Sequence, residues 1–277
     1  MKKSLLITAI ALIVAGALLF TAALAALDFD FSKLSTENFQ TNTYEISESF
    51  HRISIDVELT DITFAASDDG SCKIVCHETE KLKHSATVQD GTLVIKTANS
   101  RKWYDHIGIF TGGYKMTVYL PENEYISLQI RTDTGDVDLP DTFRFDNIQI
   151  ESSTADIHCR ASVASQIDIQ TSTGTVTLSH VQCKRIAVDT DTGDVKLENC
   201  DADRMDIESD TGDVKLASCN ADSIDIETDT GDVTGTLRSE MVFICETDTG
   251  RVKVPKTTSG GRCRISTDTG DIIINLE

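Results

Sequence analysis

Aromatic residues make up only 6% of this 277-residue chain, which has a single Trp and 3 prolines. A core of stacked rings is therefore excluded, and aliphatic side chains must fill the interior. Positive charge is also scarce, with 25 Lys and Arg against 45 Asp and Glu and a formal net charge of −20. Such a chain is no electrostatic partner for nucleic acid, whose phosphates need Lys and Arg, nor for anionic lipid. Catalytic signatures are missing too. The six histidines (His51, His77, His84, His106, His158 and His180) show no His-Glu-x-x-His spacing, and neither Gly-x-Ser-x-Gly nor a phosphate-cradling loop ahead of a helix occurs. The chain reads as non-enzymatic, with no cofactor.

What is present is a repeat. Thr190-Asp191-Thr192-Gly193-Asp194-Val195 recurs, with a Gly column at Gly135, Gly174, Gly193, Gly212, Gly231, Gly250 and Gly270 and Ala155 in the remaining copy, at intervals of 19 or 20 residues. A Thr precedes every one of them, and Val or Ile stands two residues after. Apolar residues alternate on both sides of the motif, as in Ile186/Val188 before Gly193 and Val195/Leu197 after it. Period-two alternation around a Gly turn implies two short strands per copy with one apolar face. Asp-Thr-Gly-Asp supplies a left-handed-tolerant Gly and Asx-type bonds to the turn. A propeller would show a period near 40 residues. A β-solenoid, with each column a ladder of like residues about 4.8 Å apart, explains the shorter period directly. The expected fold is all-β: a single solenoid of about eight coils over 125–277, preceded by a degenerate first coil and cap over 45–124. Thr60 stands in for Gly in the degenerate coil, among Ile53, Ile55, Asp61, Ile62 and Phe64.

Ahead of the rod, Met1-Lys2-Lys3 precedes an apolar run from Leu5 to Leu27 broken only by Thr8 and Thr21. That length suits one transmembrane helix over 1–27, with the N-terminus cytoplasmic and the body extracytoplasmic at the cell membrane. Ala23-Leu24-Ala25 also fits a signal cleavage site, which would leave the body secreted. Residues 28–44 read as a tether.

With the iterated Thr-Asp-Thr-Gly-Asp-Val, the Lys-Lys hydrophobic helix and the Val118-Tyr119-Leu120-Pro121 strand, the chain resembles a bacterial family of unknown function labelled as candidate adhesins. That resemblance, over Ile53 to Glu277, implies a toastrack-type β-solenoid that is membrane-anchored or exported. Some relatives accompany modules of the cell-envelope stress response, and no catalytic residues carry across. Two functions follow as expectations: a cell-surface interaction module binding a protein or cell-wall partner, or a sensory ectodomain acting through membrane partners.

Three features could carry chemistry. Asp ladders flank the Gly column, at Asp191, Asp210 and Asp229 before it and Asp194, Asp213 and Asp232 after it. Stacked carboxylates repel by roughly 0.9 kcal/mol per pair in water, which calcium would relieve, although Asp in a Gly turn ordinarily serves the turn itself. Arg101 to Phe110 holds the lone Trp, so either Trp103 and Phe110 plug the first coil or Trp103, Tyr104, His106 and Phe110 form an interaction loop. Of the eight cysteines Cys159, Cys245 and Cys263 fall in inward columns, as small hydrophobes, and Cys200 and Cys219 share a column in the link after the second strand, the one pair in neighbouring coils at bridging distance. Finally, Ile272-Ile273-Ile274 ends the last repeat without a cap, an edge open to end-to-end self-association.

Overall fold

The computed structural model describes residues 2–26, 38–99 and 113–277. Among the described residues one helix, α1 (Lys2–Ala26), is followed only by strands. Its 25 residues extend about 37 Å at 1.5 Å per residue. Counted on described residues, no helix is long and apolar enough to cross a membrane.

The strands form two facing sheets wound as one solenoid. In chain order the N-terminal part holds β1 (Phe39–Ile46), β2 (Arg52–Val57), β3 (Thr60–Ala66), β4 (Cys72–Thr79), β5 (Leu82–Gln89), β6 (Thr92–Asn99) and β7 (Tyr114–Leu120). The repeats follow as long strands, β8 (Glu124–Thr134), β10 (Arg144–Thr154), β12 (Ser162–Thr173), β14 (Gln182–Thr192) and β16 (Asp201–Thr211), alternating with short ones, β9 (Val137–Leu139), β11 (Ile157–Cys159), β13 (Val176–Ser179) and β15 (Val195–Glu198). Then come β17 (Val214–Thr230), which turns from the short-strand sheet into the long one, β18 (Val233–Leu237), β19 (Met241–Thr249), β20 (Val252–Lys253), β21 (Gly261–Thr269) and β22 (Ile272–Leu276).

Every coil pairs with its neighbour in parallel and in column register: Ile148 over Leu128, Ile167 over Ile148, Ile186 over Ile167. Alternation therefore sends the Ile, Leu and Val columns inward, where they are buried. Each such side chain contributes about 1.5–3 kcal/mol by leaving water.

The turns show why their residues are what they are. A Cβ on Gly212 would stand 2.1 Å from the carbonyl oxygen of Gly193 in the coil below. Close stacking of turns, more than backbone handedness, is what demands Gly here. The Asp after the Gly column accepts, at Oδ1, the N–H of the equivalent residue in the next coil: Asp213 N–H to Asp194, Asp232 to Asp213 and Asp271 to Asp232, at 2.8–3.2 Å. Inside the same turn runs a buried Thr/Ser column, in which Ser209 donates to the Gly193 carbonyl and Thr267 to the Gly231 carbonyl. The opposite corner is made by His180, Asn199 and Ser218, all left-handed (φ 60°, 51° and 54°). There the N–H groups of His180 and Asn199 bond the carbonyls of Glu198 and Ala217 in the next coil.

Coil order departs from chain order at both ends. At the N-terminal end β6 and β7 form the outer coil, stacked in parallel on β2 and β3, which in turn stack on β8 and β9. Thr60 occupies the Gly column, its carbonyl oxygen 2.3 Å from where a Cβ on Gly135 would lie. Antiparallel β5 and β4 then cover the outer coil, and β1 pairs with β4. Residues 39–44, expected to belong to a tether, are thus strand: their inner face carries polar Asn42 and Tyr44, which leaves no apolar period to read.

At the C-terminal end the expectation of an open β22 is overturned. β21 lies between β17 and β19, and β22 between β18 and β20. Ile272 and Ile274 are buried, and the outermost coil is β19–β20. The Val254 to Gly260 connection carries the chain back across the end, so the last repeat in sequence inserts one coil inward.

Candidate interaction surface

The residues Trp103, Tyr104, His106 and Phe110, singled out as a possible interaction loop, lie outside the described residues, between β6 and β7. The turn glycines line one edge of the rod, and their neighbouring Asp ladder is turned onto backbone N–H groups, as described above. Calcium is not needed to explain that ladder.

A different acidic array faces solvent. On the outer face of the long-strand sheet, Asp189, Glu208 and Glu227 are direct neighbours in register, and Asp191, Asp210 and Asp229 stand two residues along the same strands. Neighbouring strands lie about 4.8 Å apart. All six side chains are exposed, and among the described residues none of them pairs with a cation. The adjacent column differs: Asp206 receives Arg204 at 2.6 Å and Arg185 at 2.9 Å. Partial burial pushes the Asp206 carboxyl up, but those two guanidinium groups prevail and hold it below its ordinary value. Asp189 goes the other way, raised by partial burial and then by Asp191, Asp210 and Asp168. Glu208 is raised first by Asp189, then by burial and by Glu227. These carboxylates crowd each other along a shallow groove of about 300 Å³ that also includes Arg185 and Arg264.

Inside the N-terminal cap sits a second cluster, Cys76, Glu78 and His84, all buried and with ligand-type atoms within 4.8 Å of one another. Glu78 is fully hydrogen-bonded: Oε1 accepts from Asn42 Nδ2 at 2.6 Å and Tyr44 Oη at 2.7 Å, and Oε2 from the backbone N–H of His84 at 2.7 Å, with His84 Nδ1 at 2.6 Å. Burial alone would raise the Glu78 carboxyl, but those bonds prevail and lower it. Two ligands on one tetrahedral zinc stand about 3.3 Å apart. The 2.6 Å between Nδ1 and Oε2 is instead hydrogen-bond contact, and the cluster acts as a hydrogen-bonded staple. His84 Nε2 lies 3.1 Å from Thr60 Oγ1, which ties the cap to the first turn.

The eight cysteines are free, and most are buried. Cys200 and Cys219 sit inside the left-handed corners and donate to the carbonyls of Leu178 and Leu197. Burial pushes the Cys72, Cys76, Cys159 and Cys263 thiols up to about 12. Thiols held that high are packing groups, not nucleophiles.

The model of the family described as Toastrack DUF4097 matches residues 50–275. The chain belongs to that family. Among solved structures, this Toastrack chain is similar to a candidate adhesin from Bacteroides fragilis (19% identity, covering 87% of this chain and 99% of that one, TM-score 0.58). It is also similar to a candidate lipid-binding protein from Parabacteroides distasonis (15% identity, 86% and 98% covered, TM-score 0.57). A candidate adhesin from the same organism is 14% identical over 87% and 98% of the two chains, with a TM-score of 0.53. At these identities the likeness shows the Toastrack fold alone. No curated protein matches the chain.

Proposed function

We propose that this Toastrack protein is a non-catalytic surface-interaction module, held at a membrane by α1 with its rod on the extracytoplasmic side. The outer face of the long-strand sheet is its binding surface, for a cationic partner such as a basic peptide or an amine-bearing wall polymer. The observation that carries the reading is the unpaired carboxylate block of Asp189, Glu208 and Glu227 beside Asp191, Asp210 and Asp229. A folded rod tolerates this mutual repulsion, and a polycation would relieve it along a repeating track matched to strand spacing. The Lys2-Lys3 flank and the apolar sequence of α1 support the placement.

Binding of the full chain to an oligolysine peptide, followed across a salt series, tests the reading. Affinity should fall steeply with ionic strength and be lost when Asp189, Glu208 and Glu227 are changed to Asn or Gln. No binding at low salt, or binding indifferent to those changes, overturns it. A stress-sensing ectodomain is favoured by one observation, the short connection of residues 27–38 between α1 and β1, which would keep the rod close to the bilayer.

A further inference from the structure

The two ends of the rod are finished differently. β4, β5 and β1 cover the N-terminal end, whereas nothing among the described residues covers β19 and β20. Inward positions that are buried in interior coils open up there: Val252 is 45% exposed although Ile272 and Val233, in the same column, are 0%. Phe243, Cys245 and Val254 are only half-buried.

The two strands of this open coil are not equivalent as edges. β20 is 2 residues long, ends on Lys253 and is followed by Val254-Pro255, with Lys and Pro blunting it. By contrast, β19 runs 9 residues without Pro, Lys or an inward charge. It is also apolar on both faces over Val242-Phe243-Ile244-Cys245. Val242 and Ile244 point outward, 37% and 54% exposed, where the columns below carry Arg262 and Arg264. A strand apolar on both faces is one that becomes enclosed.

We infer that β19 is a docking edge for a second copy of this chain, pairing antiparallel with its own counterpart so that two rods join tip to tip. The side-chain pattern is self-complementary. Phe243 rests on Cys263 and Cys245 on Ile265, large against small. Antiparallel pairing centred on Ile244 repeats that fit, placing Phe243 of each copy against Cys245 of the other and continuing both inward columns through the joint. The same register sets Val242 against Glu246, so no like charges meet from Val242 to Glu246, and Glu240 faces Asp248 only beyond the strand's start. Charge permits the approach as well. In a chain of net −20, residues 238–264 hold six Lys and Arg against three carboxylates, so the tips are where two acidic rods repel least.

The test is the mass of the full chain in detergent by light scattering, micelle subtracted, at micromolar concentration. Wild type should have the mass of two chains. Ile244→Lys, at an outward and exposed site, should have the mass of one with an unchanged unfolding midpoint, and Ile244→Thr should weaken pairing about tenfold. Ile273→Lys, one coil inside, should remain a pair. A wild-type monomer, or a dimer that persists in Ile244→Lys, overturns the proposal. Neither result bears on the acidic face, whose test is a separate binding measurement.

Discussion

The backbone N–H of Arg251 donates to Oδ1 of Asp271 at 2.8 Å, and its Nε to Oδ2 at 3.1 Å. Asp271 is thereby the last carboxylate of the turn ladder, and Arg251 occupies the position that is Asp in the other coils except at Thr175. The ladder ends in a cation because no further N–H arrives to be bonded. This contact also fixes the order of the coils, with the repeat nearer the C-terminus enclosed by the one before it. Native-state amide exchange should therefore show β22 protected about tenfold or more over β19, although β22 is the last strand in sequence. Faster exchange in β22 than in β19 would contradict the inverted order.

Gly212→Val is expected to destabilise the rod by more than ~1 kcal/mol, since any Cβ there enters the space of the Gly193 carbonyl. Urea unfolding checks it, and an unchanged midpoint would show that the turns do not stack so closely.

The buried Thr column should respond position by position. Thr267 donates to the Gly231 carbonyl at 3.3 Å, whereas the Thr190 hydroxyl is buried without a partner. Thr267→Val should cost about 1 kcal/mol, while Thr190→Val should be neutral or stabilising by a similar amount. Equal losses at both sites would sink this distinction.

Glu78 makes stability depend on acid. Its carboxyl is held below its ordinary value near 4.5, so the stabilisation it gives is fully present above that value and is lost as pH falls through the depressed folded value. Glu78→Gln should cost about 2 kcal/mol at neutral pH, because the half-buried donors of Tyr44 and Asn42 and the buried ones of His84 lose their charged acceptor. The gap from wild type should shrink on acidification. A gap constant from pH 7 to pH 3 would mean that Glu78 is not the titrating group.

Much of this was legible in the residues themselves. The spacing of Gly193, Gly212 and Gly231, with Ile/Val alternation on either side, specifies parallel coils and their columns, and Thr60 was recognisable in the Gly position. Coil order was not legible, because a repeat conveys what stacks but not in which sequence. The signals were local departures: Arg251 where most copies carry Asp, and Val242 and Ile244 where the columns below carry polar side chains or, once, Ala187. The start of β1 is obscured because its inward residues there include polar Asn42, and the partner of Asn42, Glu78, lies 36 residues away. The left-handed corners at His180, Asn199 and Ser218 carry side chains, so no Gly marked them. The exposed row at Asp189, Glu208 and Glu227 shares its period with the Asp residues nearer the Gly column and mixes Asp with Glu, so it does not stand out as a separate ladder.

The carboxyl of Glu208 offers the most direct test of the acidic face. Its titration can be followed by carbon-13 NMR of the side chain in the full protein, free and saturated with oligolysine. Crowding by Asp189 and Glu227 predicts a value above that of an ordinary glutamate in the free protein, falling when the cationic peptide is bound. An ordinary value in the free protein, or a raised one that binding leaves in place, would contradict the account.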